Sequence, residues 1–142
     1  MSSSNKKLKK LQKDNVSLFK QICYKRDGTD WCQVQKHFPW IKTSHDSIRQ
    51  VDHCITRKNK HLHLDPRNGT VVCSSCNLNK HLLNCGVDHA INEIVKKREG
   101  QEWFEGMVKT AQTMGANVNW SRVWWQEEQN KKLEKELEKY VN

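Results

Sequence analysis

The sequence predicts an α+β fold: one long helix, a small two-stranded hairpin, then several helices. Three observations carry this. Between Lys6 and about Tyr24, Leu8, Leu11, Leu18, Phe19 and Ile22 recur three, four or seven residues apart, the period of an amphipathic helix. Around 49–56 and 70–73, the strand formers Val51, Ile55, Thr56 and Thr70-Val71-Val72 flank the turn signals Asp65-Pro66 and Asn68-Gly69. After Cys76 the helical period returns and runs to the C-terminus.

Each element has a local reason. Asp27-Gly28 supplies turn chemistry that stops the first helix. Residues 29–50 lack a clear period and contain Pro39, so they read as irregular, with Trp31 and Trp40 expected to pin the segment to the core. Trp40 also has the chemistry to stack on an unpaired base. A break is expected near Cys85-Gly86, followed by helices at 87–98, 101–114 and 121–141, with Trp103, Trp124 and Trp125 at packing positions. The last helix carries Leu133, Leu137 and Val141 at a four-residue spacing. That stripe serves equally as a dimer seam or as an edge packed on its own domain.

Composition narrows the class. The chain has 142 residues, of which only 35% are hydrophobic, and a mean hydropathy of −0.93. The core must therefore be thin, and such chains lean on a metal, an oligomer or a ligand for stability. No run of about 18 apolar residues offers a membrane span. Lys6, Lys7, Lys9, Lys10 and Lys13 are followed by no apolar stretch of the secretory kind. A cytoplasmic, reducing setting is expected, in which the six cysteines bind metal rather than pair. Charge is uneven: residues 1–80 hold 16 Lys and Arg against six Asp and no Glu, whereas 81–142 hold nine against ten acids. A localised basic field favours polyanions, although solubility alone also explains it.

Inside the basic part, four features follow one another: Asp52-His53 on a predicted strand, Asn68 in a turn, Cys73-x-x-Cys76, then Asn77 and His81. Two thiolates on one tight turn are half of a tetrahedral zinc site. Asn77 and His81 are four apart and share a helix face. Asp52 and the Asn77 amide oxygen suit a hard cation such as Mg2+ or Mn2+, which polarises a phosphodiester. His53 is suited to be the general base that deprotonates water. One difficulty is that neighbours on a strand point to opposite faces, so a bulge, a strand end or a twisted backbone must bring both to one phosphate.

The string VDHCITRKNKHLHLDPRNGTVVCSSCNLNKH resembles the HNH, or His-Me finger (ββα-metal), nucleases. The resemblance implies a ββα-metal core with a zinc-stapled hairpin. It makes Asp52 a metal ligand, His53 the base, Asn68 the loop residue fixing the backbone that carries His53, Asn77 the second ligand and His81 an additional metal or phosphate contact. Asn77 makes this the HNN variant, as in the endonuclease VII group. YKRDGTDWC upstream resembles the Arg-Asp-Gly entry to the first zinc cysteine in many such nucleases. LLNCGVDHAINEIVKKREGQEWFEGMV after CNLNKH is similar to the phage NinG and Rap recombination nucleases, which act on branched intermediates including Holliday junctions. On that basis residues 1–24 form a basic helix, 25–86 the nuclease core and 87–142 a helical region. DNA is the expected partner and the setting a phage-encoded enzyme in the bacterial cytosol. A homodimer is expected because two strands must be cut symmetrically.

The family usually places a second Cys-x-x-Cys before Asp-His, and this chain has only Cys32 there. The expected zinc set is Cys32, His37, Cys73 and Cys76, with Cys23 or His45 as alternatives to His37. Cys54 and Cys85 read as small buried residues. Arg49, Arg57, Lys58, Lys60, Arg67 and Lys80 surround the motif and suit backbone phosphates, or merely solvent. His61 and His63 alternate on a presumed strand and face either phosphate or water, and His89 reads as structural. Two other functions stay open: a zinc-stabilised DNA-binding module without catalysis, and a nicking, homing or restriction nuclease acting on linear duplex.

Overall fold

The computed structural model describes residues 2–41, 43–56, 59–80, 82, 86–113 and 119–140. Helix α1 spans Ser3–Asp27, with the Ser2 hydroxyl accepting from the Asn5 N–H at its start. Lys25 and Arg26 sit in its last turn, at the negative end of the helix dipole. Asn15, Phe19, Ile22 and Cys23 form its buried stripe. The leucines at 8, 11 and 18 are only partly covered, so the first turns carry a mainly solvated surface.

A short helix, α2 (Gln33–His37), lies within the segment that sequence alone leaves irregular. Cys32 and Val34 anchor it, both fully buried. Trp31 and Trp40 do not pin it: they are 52% and 70% exposed, and Trp40 rests edge-on against Phe38. Strand β1 (Arg49–His53) pairs antiparallel with β2 (Gly69–Cys73), in the register Arg49↔Cys73 through His53↔Gly69. A single 3-10 turn, Pro66–Asn68, leads into β2. Helices α3 (Ser74–Asn79), α4 (Val87–Glu99), α5 (Gln101–Thr113) and α6 (Val123–Glu138) complete the chain. Gly100 links α4 to α5 at φ 97, a conformation that L side chains avoid. Cys85 and Val141 lie outside the described residues.

The hairpin is covered on both faces, which is why Gly69–Cys73 is buried throughout instead of alternating. On one side Val51 and Val71 pack with Phe19 and Ile22 of α1 and with Trp125 and Leu133 of α6. On the other, Val72 packs with Cys32, Val34, Cys76, Ala90 and Ile91, from α2, α3 and α4. A third cluster joins Leu62 to Val95, Phe104 and Met107.

The stripe of α6 therefore packs on its own domain. Buried amides fix the register of α1 and α6: Asn15 Nδ2 donates to the Gln126 backbone carbonyl (2.9 Å) and to Gln126 Oε1 (2.8 Å), and Asn130 Nδ2 donates to Asn15 Oδ1 (2.9 Å). The Arg26-Asp27 pair has a structural task. Asp27 Oδ2 accepts the Val71 N–H at 3.0 Å, while Arg26 donates to the carbonyls of Pro66 and Gly69. Together they cap the outer edge of β2, whose backbone would otherwise be open.

Gly69 is set by close approach, since a Cβ there would lie 2.6 Å from Cys23 Sγ and 2.8 Å from Phe19 Cζ. Both atoms belong to packed side chains, so Gly69→Ala is expected to cost about 1–3 kcal/mol. Urea unfolding checks this, and an unchanged midpoint would show that α1 yields at no cost.

Burial pushes the Cys23 and Cys54 thiols up to about 12. In the unfolded chain a thiol ionises near pH ~8.5. Below that both states keep the proton. From about pH 9 to about pH 12 the unfolded chain binds fewer protons than the folded one, so stability falls as pH rises. The slope is at most about 1.4 kcal/mol per pH unit per thiol. Unfolding midpoints taken from pH 8 to pH 10.5 should show this decline, and Cys23→Ala should flatten it; equal slopes for both proteins would contradict the assignment.

Candidate metal centre and cleft

β2 ends at Cys73, whose Sγ accepts the Cys76 N–H at 3.4 Å and so caps α3. This tight turn places both sulfurs on one side. Cys32 enters from the start of α2, with Cys32 Sγ 3.8 Å from Cys76 Sγ. His45 arrives from the loop before β1, its Nδ1 lying 3.5 Å from Cys73 Sγ and 3.3 Å from Cys76 Sγ. All four donor atoms lie within 4.8 Å of one another. Tetrahedral zinc with bonds of about 2.3 Å to sulfur and 2.0–2.1 Å to nitrogen needs donors about 3.5–3.8 Å apart. The three cysteines are fully buried, as a closed structural site requires. This cluster could hold a structural metal such as zinc. The sulfur–sulfur contact with Cys76 holds the Cys32 thiol well below the ordinary thiol range.

The nitrogen ligand differs from the expected one. His37 is exposed and its Nε2 meets Gln33 Oε1 at 3.2 Å. Five residues along a helix turn the side chain about 140° away from Cys32. His45 is brought in by its neighbour: Asp46 accepts from the Ser74 and Ser75 N–H groups, the Ser74 hydroxyl and the Ile48 N–H. The Ser74 hydroxyl, foremost, holds the Asp46 carboxyl below its usual range. By gripping the start of α3, Asp46 folds the loop back so that a ligand distant in sequence from Cys32 reaches the site. Cys23 is buried between α1 and the hairpin and is not in the cluster.

Beside this centre a cleft of about 940 Å³ runs between α1 and α3, lined by Lys20, Asp52, His53, Asn77 and Lys80 among others. Asp52 and His53 point to opposite faces of β1, Asp52 to α3 and His53 to α1. No bulge is present; the strand ends at His53, and the cleft wraps around that end.

The imidazole of His53 is stacked between Phe19 (4.8 Å) and His63 (4.5 Å), nearly parallel to both. Its Nε2 lies 2.9 Å from the His63 carbonyl oxygen. A carbonyl only accepts, so Nε2 carries the hydrogen and the neutral ring has its lone pair on Nδ1. Asn68, fully buried, ties down the chain leaving His53: its Oδ1 accepts from the Ile55 N–H (2.7 Å), and its Nδ2 donates to the carbonyls of Ile55 (3.0 Å) and Leu62 (3.2 Å). Asn77 Nδ2 donates to Gln50 Oε1 at 2.7 Å, which leaves its carbonyl oxygen as the donor for a cation.

Asp52 is 3% exposed and paired with Lys80, whose Nζ lies 2.9 and 3.0 Å from the two carboxylate oxygens and 2.7 Å from the His53 carbonyl oxygen. Lys80 is thus an internal group, not the surface phosphate contact that its charge suggests. Arg49 also turns inward, donating to the carbonyls of Thr29, Asp30 and Asp46. Lys60 lies over Trp120, and Arg67 pairs with Asp65 and lies over Trp103. Arg57, Lys58 and His81 lie outside the described residues. His61 and His89 are exposed, and Cys54 Sγ donates to Asn92 Oδ1.

Sequence reasoning kept His45 only as an alternative to His37, and it missed the parts played by Asp46 and His63. The adjacent His45-Asp46 pair ahead of the strand was the available signal for Asp46, and nothing local distinguishes His63 from His61. No protein-family model, curated protein or solved structure matches the chain.

Proposed function

We propose that the protein is a divalent-metal-dependent endodeoxyribonuclease of the His-Me finger type, in which β1, β2 and α3 form the ββα-metal core. One observation carries the reading: Asp52, His53 and Asn77 line a single cleft although they come from two elements and both faces of β1. Asp52 and Asn77 hold Mg2+ or Mn2+ through oxygen. That ion supplies Lewis acidity at the scissile phosphate. His53, clamped by Phe19 and His63, accepts the proton of the attacking water at Nδ1. The cysteine-histidine centre fixes the β2–α3 turn and thereby the position of Asn77. The substrate we propose is branched DNA, including four-way junctions, in phage recombination within the host cytosol. A homodimer supplies the two active sites for paired cuts.

A second reading, a zinc-stabilised DNA-binding module without catalysis, draws on the Asp52–Lys80 pair, because the carboxylate already has a cationic partner within 3.0 Å. The zinc-loaded chain incubated in Mg2+ with a four-way junction, a splayed fork and a linear duplex separates these cases. Paired nicks in the junction are the expected result. Equal cutting of the linear duplex would keep the chemistry and discard the branched substrate, and binding without cutting in either Mg2+ or Mn2+ would favour the module.

A further inference from the structure

We infer that α1 carries a second part of the DNA-binding surface, a lysine rail running out of the cleft, which rests on the nuclease reading for its partner. The structure turns Arg49 and Lys80 inward, so the strongest free cationic surface must be sought elsewhere. Lys6, Lys13 and Lys20 recur every seven residues on α1, and Lys9 lies between them. Seven residues bring a helix back to within about 20° of the same direction, so the four share one face. All four are exposed. None of their ammonium groups forms an ion pair or hydrogen bond among the described residues, whereas those of their neighbours Lys7 and Lys10 are paired with Glu127 and Asp14.

The rail is continuous with the candidate site, because Val16, Lys20 and Tyr24, on this same side of α1, line the cleft. From Lys20 to Lys6 the helix rises about 21 Å, the length of about six base-pair steps. A rigid row of unpaired ammonium groups that begins beside Asp52 and His53 suits the phosphates flanking the scissile bond. A lipid surface fits less well. The apolar face of α1 is buried against the hairpin and α6, and half-buried Val16 is the one apolar side chain among the rail lysines.

The test is DNA binding by the zinc-loaded full chain, measured by fluorescence anisotropy without Mg2+ over a range of salt concentrations. The probes are a four-way junction and a linear duplex, and K6E/K9E/K13E is compared with the charge-matched control K131E/K132E/K135E on α6. The rail predicts an affinity loss of about tenfold or more for the α1 variant, and a salt-dependence slope reduced by about 2.7. The control should stay within about twofold of wild type. Matching thermal melts confirm that both variants fold. Equal losses in both variants would reduce the effect to net charge and overturn the rail, as would no loss in either. Loss of binding to phosphatidylserine vesicles, with DNA affinity intact, would reassign the face to lipid. A wild type that cuts DNA while the α1 variant binds normally overturns the rail alone. A wild type that binds through α1 and never cuts overturns the nuclease reading alone.

Discussion

Replacing His53 with alanine is expected to slow Mg2+-dependent cleavage by about 10²–10⁴-fold, the usual contribution of a positioned general base. The ring is held on both flat sides and at Nε2, so its Nδ1 has a fixed direction at the end of β1. DNA affinity should change little, because the imidazole is 8% exposed and offers almost no surface to phosphate. Cleavage at several pH values with an anisotropy titration of the same variant checks both statements. Undiminished cutting would remove His53 from the chemistry. Loss of cutting and binding together, with a lowered melting temperature, would mark it as a packing residue between Phe19 of α1 and His63.

The second large effect concerns the metal centre. His45→Ala should lose the bound zinc and much of the thermal stability, whereas His37→Ala should leave both unchanged. Structural zinc contributes on the order of 10 kcal/mol or more to the folding of small zinc domains. Here the site ties together the 43–46 loop, α2 and the β2–α3 turn, segments from three separate parts of the chain. Metal content measured on purified protein, with melting curves before and after chelation, gives the answer. One zinc per wild-type chain, none in His45→Ala and one in His37→Ala is the expected pattern. Zinc retained in His45→Ala would return the fourth position to another residue. The two histidines differ in a way that spacing cannot register: His37 is near Cys32 along the chain but on the wrong side of a helical turn, and His45 is brought round by Asp46.

That contrast describes what the sequence reveals more generally. Helical and strand periods located α1, both strands and the three C-terminal helices, because those periods reflect burial on one face or two. They were silent about α2, whose five residues are too few to show a period. They misjudged Trp31 and Trp40, since aromatic side chains suggest burial whatever the local geometry. The last helix was ambiguous because a leucine stripe is the same whether it meets α1 or a second chain. At the site, the types and order of residues singled out Asp52, His53, Asn68 and Asn77; Asp52, His53 and Asn77 line one cleft, and Asn68 holds the chain that leaves His53. The ion pair of Lys80 was invisible, because counting charges treats every lysine as solvated, while a buried lysine is set by its partner.

The Asp52–Lys80 pair also points to the most direct test of the central claim, that Asp52 is a cation ligand and not only the counter-ion of a buried lysine. Mn2+ binding to the zinc-loaded chain, followed by electron paramagnetic resonance and compared with Asp52→Asn, measures this without any substrate. The predicted result is one Mn2+ site per chain, lost in the variant while zinc is retained. No Mn2+ site in the wild type, or one that survives Asp52→Asn, would contradict the claim and leave the Asp52–Lys80 pair as a structural tie.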